Sequence, residues 1–135
     1  MSKTFETIIV DPQDHLTWIT LNRPQVANAF NTQMAEELLE VFSDFVSGSR
    51  QARCIILTGS GDRAFCAGGD LKQRHGMSDE AWYAQHAVFE ELARALIDCP
   101  APLLGAINGA AFGGGAELTL SCDFAYAASH ARFAL

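Results

Sequence analysis

Residues 108–123 read NGAAFGGGAELTLSCD and decide the fold of this chain. Three consecutive glycines at positions 113–115 stand before a single carboxylate, Glu117, and an apolar segment follows. Glycine loses more backbone freedom on folding than other residues do. A run of three glycines therefore indicates that the fold or function needs positions without side chains here. We predict a short helix over residues 114–121, whose first amides lack acceptors within the helix and therefore attract negative charge.

Strands and helices alternate on both sides of this stretch. Residues 103–107 form a short apolar run typical of a buried strand, and residues 124–127 are a further strand candidate. Nearer the amino terminus, the patterns predict a β-hairpin of residues 4–10 and 16–21 with its turn at 11–14, an amphipathic helix ending at Gly48, a buried strand over 54–57, and a helix from Ser78 to Pro100. This alternation indicates an α/β fold with covered sheets. The helix predicted from Ser78 to Pro100 has an inner face that consists of Trp82, His86, Phe89, Ala93, Leu96 and Ile97.

Length and composition indicate one globular domain or part of one. The chain has 135 residues, of which 49% are hydrophobic and 19% charged, and its formal net charge is -7. Because the basic residues are few and scattered, nucleic acid is a poor candidate partner. Neither cysteines nor histidines show metal-ligand spacing, so no metal site is predicted. No apolar run approaches the roughly 20 residues of a membrane span and no secretory signal is seen, so we expect a cytoplasmic protein without a membrane partner.

A second glycine segment has the same character. In AFCAGGDL, residues 64–71, Gly68 and Gly69 follow a predicted strand and precede Asp70. The sequence thus offers two separate sets of exposed amides, and one donor from each is what an oxyanion hole requires. Glu117 is expected within a turn of one donor, where a carboxylate can act as a general base or acid toward a water or a carbon atom.

Each feature also has a simpler explanation, and the pattern alone leaves both open. Glycine runs after strands also serve tight turns or close helix packing, and Glu117 could merely cap its own helix. Asp70 and Asp123 are expected to bond nearby amides, and the four histidines to be surface or core residues. Three motifs are excluded, because the sequence lacks the Lys-Ser/Thr of a phosphate loop, the spacing of a dinucleotide fingerprint and the serine of a nucleophile elbow.

The motifs LNRPQVANAFN, GDRAFCAGGDL and INGAAFGGGAELTLSCDFAYAASHARFAL, in this order, resemble the enoyl-CoA hydratase/isomerase family, also called the crotonase superfamily. The resemblance extends over nearly the whole chain and implies a crotonase-like fold of ββα turns wound into a spiral. It implies an acyl-CoA substrate, with CoA carried by the thioester and no separate cofactor, and assembly as a homotrimer or hexamer. It also implies that residues 1–135 are the N-terminal part of a single acyl-CoA-binding domain whose C-terminal part follows.

The resemblance further implies roles for individual residues. Gly69 and Gly114 are similar to the two residues whose backbone amides bind the thioester oxygen. Glu117 is similar to the first of the two glutamates that activate water in the family's hydratases, and the position of the second lies beyond Leu135. The residues similar to those that cradle CoA are Val26, Ala27, Ala29, Ala67, Asp70 and Leu71.

The function expected from the resemblance is that of an enoyl-CoA hydratase, which adds water reversibly to the double bond of a 2-enoyl-CoA. Glu117 favours this reaction, because many other members of the superfamily have a different residue at that position. Two alternatives stay open. One is another acyl-CoA reaction of the superfamily, such as isomerisation, hydrolysis or decarboxylation, and the other is a non-catalytic scaffold that binds acyl-CoA.

Overall fold

The structure is a computed structural model that describes residues 3–135. Its strands are β1 (Ile8–Gln13), β2 (Leu16–Leu21), β3 (Cys54–Gly59), β4 (Ala64–Cys66), β5 (Leu103–Ile107), β6 (Ala110–Phe112), β7 (Phe124–Ala127) and β8 (Phe133–Ala134). Its helices are a 3-10 turn (Pro24–Val26), α1 (Thr32–Ser47), α2 (Leu71–His75), α3 (Asp79–Asp98) and α4 (Gly114–Ser121). Among the helices of residues 3–135, none has the length and apolar character needed to span a bilayer.

The strands form a larger and a smaller sheet. The larger has the order β1-β2-β3-β5-β7 and the smaller the order β4-β6-β8. β1 and β2 pair antiparallel, and the other pairings that the structure describes are parallel. Strands β3, β5 and β7 of the larger sheet each precede a strand of the smaller one, and helices follow β4 and β6. This repetition confirms the predicted α/β fold of ββα turns.

The amino-terminal hairpin forms, but its turn is tighter than predicted. Strand β1 extends through Pro12 and Gln13, and Gln13 pairs with Leu16. The predicted turn at residues 11–14 is therefore wrong, and the chain reverses at Asp14, which has a φ of 54°. Pro12 is tolerated because β1 lies at the edge of the sheet, and aspartate adopts the left-handed conformation more readily than most residues.

Helix α1 ends at Gly48 as predicted, and Gly48 has a φ of 85°. At its other end the Asn31 Oδ1 accepts a hydrogen bond from the Met34 amide at 2.9 Å. The buried side chains of α1 belong to the same hydrophobic core as strand residues such as Ile19 and Leu57. Burial of this apolar face is the main source of the stability of α1, because packing outweighs intrinsic helix propensity.

Helix α3 begins at the predicted cap, where the Ser78 Oγ accepts a hydrogen bond from the Ala81 amide at 3.1 Å. Its predicted inner face is only partly correct, because Ile97 is 76% exposed. The side chains that α3 buries are Gln85, Leu92, Ala95 and Leu96. The helix packs against α1 with this face. Its neighbouring face borders a cavity, and four residues of the predicted inner face contribute to the lining of that cavity, namely His86, Phe89, Ala93 and Leu96.

The carboxyl-terminal elements leave an apolar surface exposed. Its large side chains are Leu120, Phe124, Tyr126, Phe133 and Leu135. Beside α4, an apolar groove of about 520 Å³ is lined by Ala116, Thr119, Leu120, Phe133, Ala134 and Leu135. Exposed apolar surface of this kind favours association with other protein surfaces.

Candidate active site

The pairing of β4 with β6 brings the two glycine segments into contact. The two strands run parallel, with Cys66 opposite Ala111, and a glycine segment follows each of them. The position that a Cβ on Gly68 would take is 2.7 Å from the Phe112 carbonyl oxygen and 3.6 Å from the Gly114 nitrogen. The amide of Gly114 therefore lies beside the segment that contains Gly69.

The amide of Gly69 is available to a ligand. Phe30 bridges to this segment, since its amide donates to the Gly68 oxygen at 2.7 Å and its oxygen accepts from the Asp70 amide at 3.1 Å. Because successive residues of an extended segment direct their amides to opposite sides, the Gly69 N–H points away from Phe30. It has no acceptor within the described residues.

The amide of Gly114 is available as well. Gly114 is the first residue of α4, and the first amides of a helix have no intrahelical acceptor. The Gly113 amide donates to the Ala134 oxygen at 2.8 Å, whereas the Gly114 amide finds no acceptor within residues 3–135. Apart from its chain neighbours and the backbone of its own helix, no atom lies within 4 Å of the position that a Cβ on Gly114 would take, so this residue borders open space.

The other two glycines of the run have structural reasons. Gly113 has a φ of 52° and a ψ of -117°, a conformation that a side chain makes unfavourable. Gly115 packs against the backbone carbonyl of Cys66 so closely that a Cβ would overlap its oxygen. Gly113 thus allows the turn, Gly114 leaves space beside the cavity, and Gly115 allows α4 to pack closely against β4.

Gly69, Gly114 and Glu117 line one cavity of about 560 Å³. Its other lining residues are Phe30, Arg74, His86, Phe89, Glu90, Leu92, Ala93, Leu96, Gly113, Leu118 and Ser121. The cavity is therefore largely apolar on the α3 side and carries backbone donors and a carboxylate on the α4 side. This is the composition expected of a pocket for a small organic ligand with one polar reacting group.

Glu117 contributes a carboxylate to the lining of this cavity. Its amide donates to the Gly113 oxygen at 3.0 Å, but its side chain accepts no hydrogen bond from the described residues. Glu117 therefore does not cap α4 through a hydrogen bond, although its charge lies in the first turn of the helix, where the helix dipole favours it. A free carboxylate within one turn of an amide donor can exchange a proton with a bound molecule.

Most of the chain, including every residue of this cavity, matches a known family. Residues 11–135 match the sequence profile described as Enoyl-CoA hydratase/isomerase. The chain belongs to the enoyl-CoA hydratase/isomerase family. This finding confirms the family and the fold that the three sequence motifs predict.

Relatives in the enoyl-CoA hydratase/isomerase family differ in their named reactions. The putative enoyl-CoA hydratase/isomerase YngF of Bacillus subtilis is 41% identical over 122 residues, which are 90% of this chain and 46% of YngF. The 1,2-epoxyphenylacetyl-CoA isomerase of Escherichia coli is 36% identical over 134 residues, which are 96% of this chain and 50% of that protein. The crystal structure of enoyl-CoA hydratase from Bacillus anthracis matches with a TM-score of 0.88 and 39% identity, over 95% of this chain and 50% of that one. The chain spans about half the length of these relatives.

The positions that the family resemblance associates with CoA lie in two adjoining segments. Val26, Ala27 and Ala29 lie between β2 and α1, whereas Ala67 and Asp70 lie between β4 and α2, and Leu71 is the first residue of α2. The Ala67 amide donates to the Ala27 oxygen at 3.0 Å, which joins the two segments. The contact is made by backbone, so it does not depend on the side chains at these positions.

Asn28 fixes the first of these segments through side-chain hydrogen bonds, a role that the sequence pattern did not predict. It is 1% exposed and has a φ of 55°. Its Nδ2 donates to the oxygens of Ala64 and Ser60 at 3.0 and 3.1 Å, and its Oδ1 accepts from the Arg23 amide at 2.8 Å. Asparagine is one of the few residues that adopt this backbone conformation readily, which is the only local signal for its role.

Asp70 and Asp123 bond nearby amides, as predicted. The Asp123 Oδ2 accepts from the Leu103 amide at 2.7 Å. The Asp70 Oδ1 accepts from the amides of Lys72 and Gln73 at 3.1 and 3.2 Å, and its Oδ2 accepts from the Arg23 Nη1 at 3.1 Å. Desolvation by burial raises the pKa of the Asp70 carboxyl, but these hydrogen bonds and the Arg23 charge outweigh it and leave the pKa below its ordinary value.

Cys66 lies next to the glycine segments but is not an activated nucleophile. Its side chain is fully buried, and burial raises the pKa of the thiol to about 11, although the nearby Gly68 backbone acts in the opposite direction. At neutral pH it is therefore a neutral thiol, and thiolate is the reactive form. Cys66 therefore supplies no nucleophile beside the glycine segments.

Proposed function

We propose that the protein is an acyl-CoA enzyme and that its reaction is the reversible addition of water to a 2-enoyl-CoA. One observation supports this most directly. Gly69 and Gly114, whose amides have no acceptors among the described residues, line the same cavity as Glu117. Donors for a carbonyl oxygen and a proton acceptor for water are the groups that the reaction needs.

In this proposal the thioester oxygen accepts hydrogen bonds from both amides. Attack of water on the β-carbon moves negative charge onto that oxygen, and preorganised donors stabilise this charge more than they stabilise the neutral ground state. Loss of one donor of this type costs on the order of 3 kcal/mol in the barrier. Glu117 takes one proton from the attacking water and returns one to the α-carbon of the enolate, so that the elements of one water are added and the carboxylate is regenerated.

The CoA part of the substrate is proposed to lie along the joined segments at Ala27 and Ala67. These segments lead into Gly69, so a thioester at the amide donors places its CoA arm beside them. CoA arrives and leaves with the substrate, so the proposed reaction needs no separate cofactor. The acyl chain then extends toward Phe89 and Leu96 of α3, whose side chains line the cavity.

Isomerisation of an enoyl-CoA is the second candidate, because the matching family profile is described as Enoyl-CoA hydratase/isomerase. Both reactions begin with the same polarised thioester, and they differ in whether water is incorporated. An isomerase moves a proton between carbon atoms of the substrate with Glu117 as the base, so the mass of the substrate does not change.

The test is crotonyl-CoA hydration by the protein expressed from its full coding sequence. We expect the absorbance of the conjugated enoyl thioester to fall and the product to be heavier by one water. Butyryl-CoA, which has no double bond, serves as the control and should stay unchanged. A product of unchanged mass would support the isomerase instead, and the absence of any conversion of enoyl-CoA thioesters would refute both.

A further inference from the structure

The guanidinium of Arg74 lies against Gly69. Its Nη2, Cζ and Nη1 atoms are 3.0, 3.5 and 3.9 Å from the position that a Cβ on Gly69 would take. Arg74 lines the cavity together with Gly69, Gly114 and Glu117. A positive charge is thus located beside one of the two available amides.

The charge of Arg74 is not compensated within the described residues. Its side chain forms no ion pair there, not even with Glu90 or Glu117 of the same cavity, and it donates no hydrogen bond. Arg23 is different, because it pairs with Asp70 at 3.1 Å. The donors of Arg74 are therefore available to a ligand in the cavity.

Neighbouring residues hold the backbone of Arg74 in place. The Arg74 amide donates to the Asp70 oxygen at 3.0 Å. The preceding residue, Gln73, accepts at its Oε1 from the Thr32 amide at 3.0 Å and from the Gln85 Nε2 at 3.1 Å. These contacts tie the short helix α2 to α1 and α3, so the Arg74 side chain starts from a fixed point at the edge of the cavity.

We propose that Arg74 is a third, cationic donor to the thioester oxygen, alongside the amides of Gly69 and Gly114. This inference rests on the proposed function, in which that oxygen gains negative charge. A hydrogen bond from a guanidinium to a charged oxygen is about twice as strong as one between neutral groups. Arg74 is an exposed residue, but Phe30 and Phe89 line the same cavity, and apolar neighbours lower the local dielectric and strengthen the interaction.

The effect of Arg74 falls mainly on the reaction rate. The thioester oxygen is neutral in the bound substrate and charged in the transition state, so the guanidinium stabilises the transition state more than the substrate. Removal of its charge therefore lowers kcat and changes KM little. A role of Arg74 in binding a carboxylate on the acyl chain would instead raise KM for such substrates alone.

The test compares Arg74→Gln and Arg74→Lys with Arg53→Gln in the protein expressed from its full coding sequence. Arg53 is exposed and lies outside the cavity lining, so its substitution removes the same charge from elsewhere. With crotonyl-CoA, we expect Arg74→Gln to lower kcat roughly 10- to 100-fold, Arg74→Lys to lower it less, and Arg53→Gln to leave it unchanged. A kcat for Arg74→Gln equal to that of the unsubstituted protein would overturn the inference.

A spectroscopic measurement separates this inference from the proposed reaction. The absorbance of bound cinnamoyl-CoA shifts to longer wavelength when its carbonyl is polarised, whether or not water is added. We expect a red shift on binding that is smaller in Arg74→Gln and retained in Arg53→Gln. Equal shifts in all variants would overturn the role of Arg74, whereas a reduced shift without any hydration would support that role and refute the hydratase.

Discussion

The backbone of Gly115 in α4 lies against the carbonyl oxygen of Cys66 in β4, with no space for a side chain between them. The same helix begins at Gly114, whose amide faces the cavity. The approach of α4 to β4 therefore sets where this amide is located relative to the segment of Gly69. The packing of α4 on β4 therefore also fixes the position of the Gly114 amide, which is one of the two proposed catalytic donors.

This contact predicts different effects for two neighbouring substitutions. Gly115→Ala introduces a methyl group that overlaps backbone atoms of Cys66, and we expect it to lower the free energy of unfolding by about 1–3 kcal/mol. Gly114→Ala is the matched control for stability, because no atom outside its chain neighbours and the backbone of its own helix lies within 4 Å of the added carbon. Urea denaturation of both variants measures the difference, and equal stabilities would show that the helix can move away without cost.

Removal of the charge of Glu117 should affect turnover and not binding. In Glu117→Gln we expect crotonyl-CoA hydration to slow by about 10²- to 10⁴-fold, which is the usual contribution of a general base or acid. The Kd for butyryl-CoA should stay within a few-fold, because the amide donors are kept. Glu36→Gln, at an exposed position of α1 outside the cavity lining, is the control and should hydrate at the normal rate. Unchanged turnover in Glu117→Gln would exclude this carboxylate from the reaction.

The carboxylate of Asp70 should make stability depend on pH. Because its pKa in the folded protein is below the ordinary value, the ionised form contributes stability above the unfolded pKa, and this contribution is lost as pH falls through the folded pKa. We therefore expect Asp70→Asn to destabilise the protein at pH 7 and to be closer to neutral in strong acid. Denaturant unfolding from pH 7 downward measures this, with Asp44→Asn as a control whose carboxylate accepts no hydrogen bond from the described residues. Parallel stability curves for Asp70→Asn and the unsubstituted protein would contradict the linkage.

The apolar surface beside α4 should make residues 1–135 associate when they are expressed alone. Leu120 is 73% exposed and lines the groove near Phe133, so Leu120→Gln should reduce self-association and binding of a hydrophobic dye. Ile97→Gln is the matched control, since Ile97 is 76% exposed but lies outside that groove. Light scattering after size-exclusion chromatography measures both variants. If unsubstituted residues 1–135 are monodisperse and do not bind the hydrophobic dye, this apolar surface does not cause self-association.

Local patterns in the sequence predicted the longer elements well. The predicted helix over residues 114–121 is observed as Gly114–Ser121, and the helix that Ser78 begins is observed as Asp79–Asp98. Their caps and apolar periodicity are properties of neighbouring residues, which a sequence displays directly. The hairpin turn was misplaced because Pro12 and Asp14 both favour turns, and only the edge position of β1 decides between them.

The bounds of the shortest strands were not predicted. Strands β4 and β6 have three residues each, which is too few for a periodic pattern, and they are stabilised by pairing with each other across the chain. Arg74 likewise carries no local signal, because its position beside Gly69 results from the contacts of α2 with α1 and α3. The resemblance to the family singled out Gly69, Gly114 and Glu117, and the structure places them on one cavity, but their roles stay predictions until the variants are measured.

The hydrogen bond from the Gly113 amide to the Ala134 oxygen has a consequence for the order of folding during synthesis. A chain that leaves the ribosome from its amino terminus presents Gly113 well before Ala134 has been added. Until then, the turn that precedes α4 lacks the acceptor that fixes it. The turn that positions the Gly114 amide therefore gains this contact only after residue 134 has been synthesised.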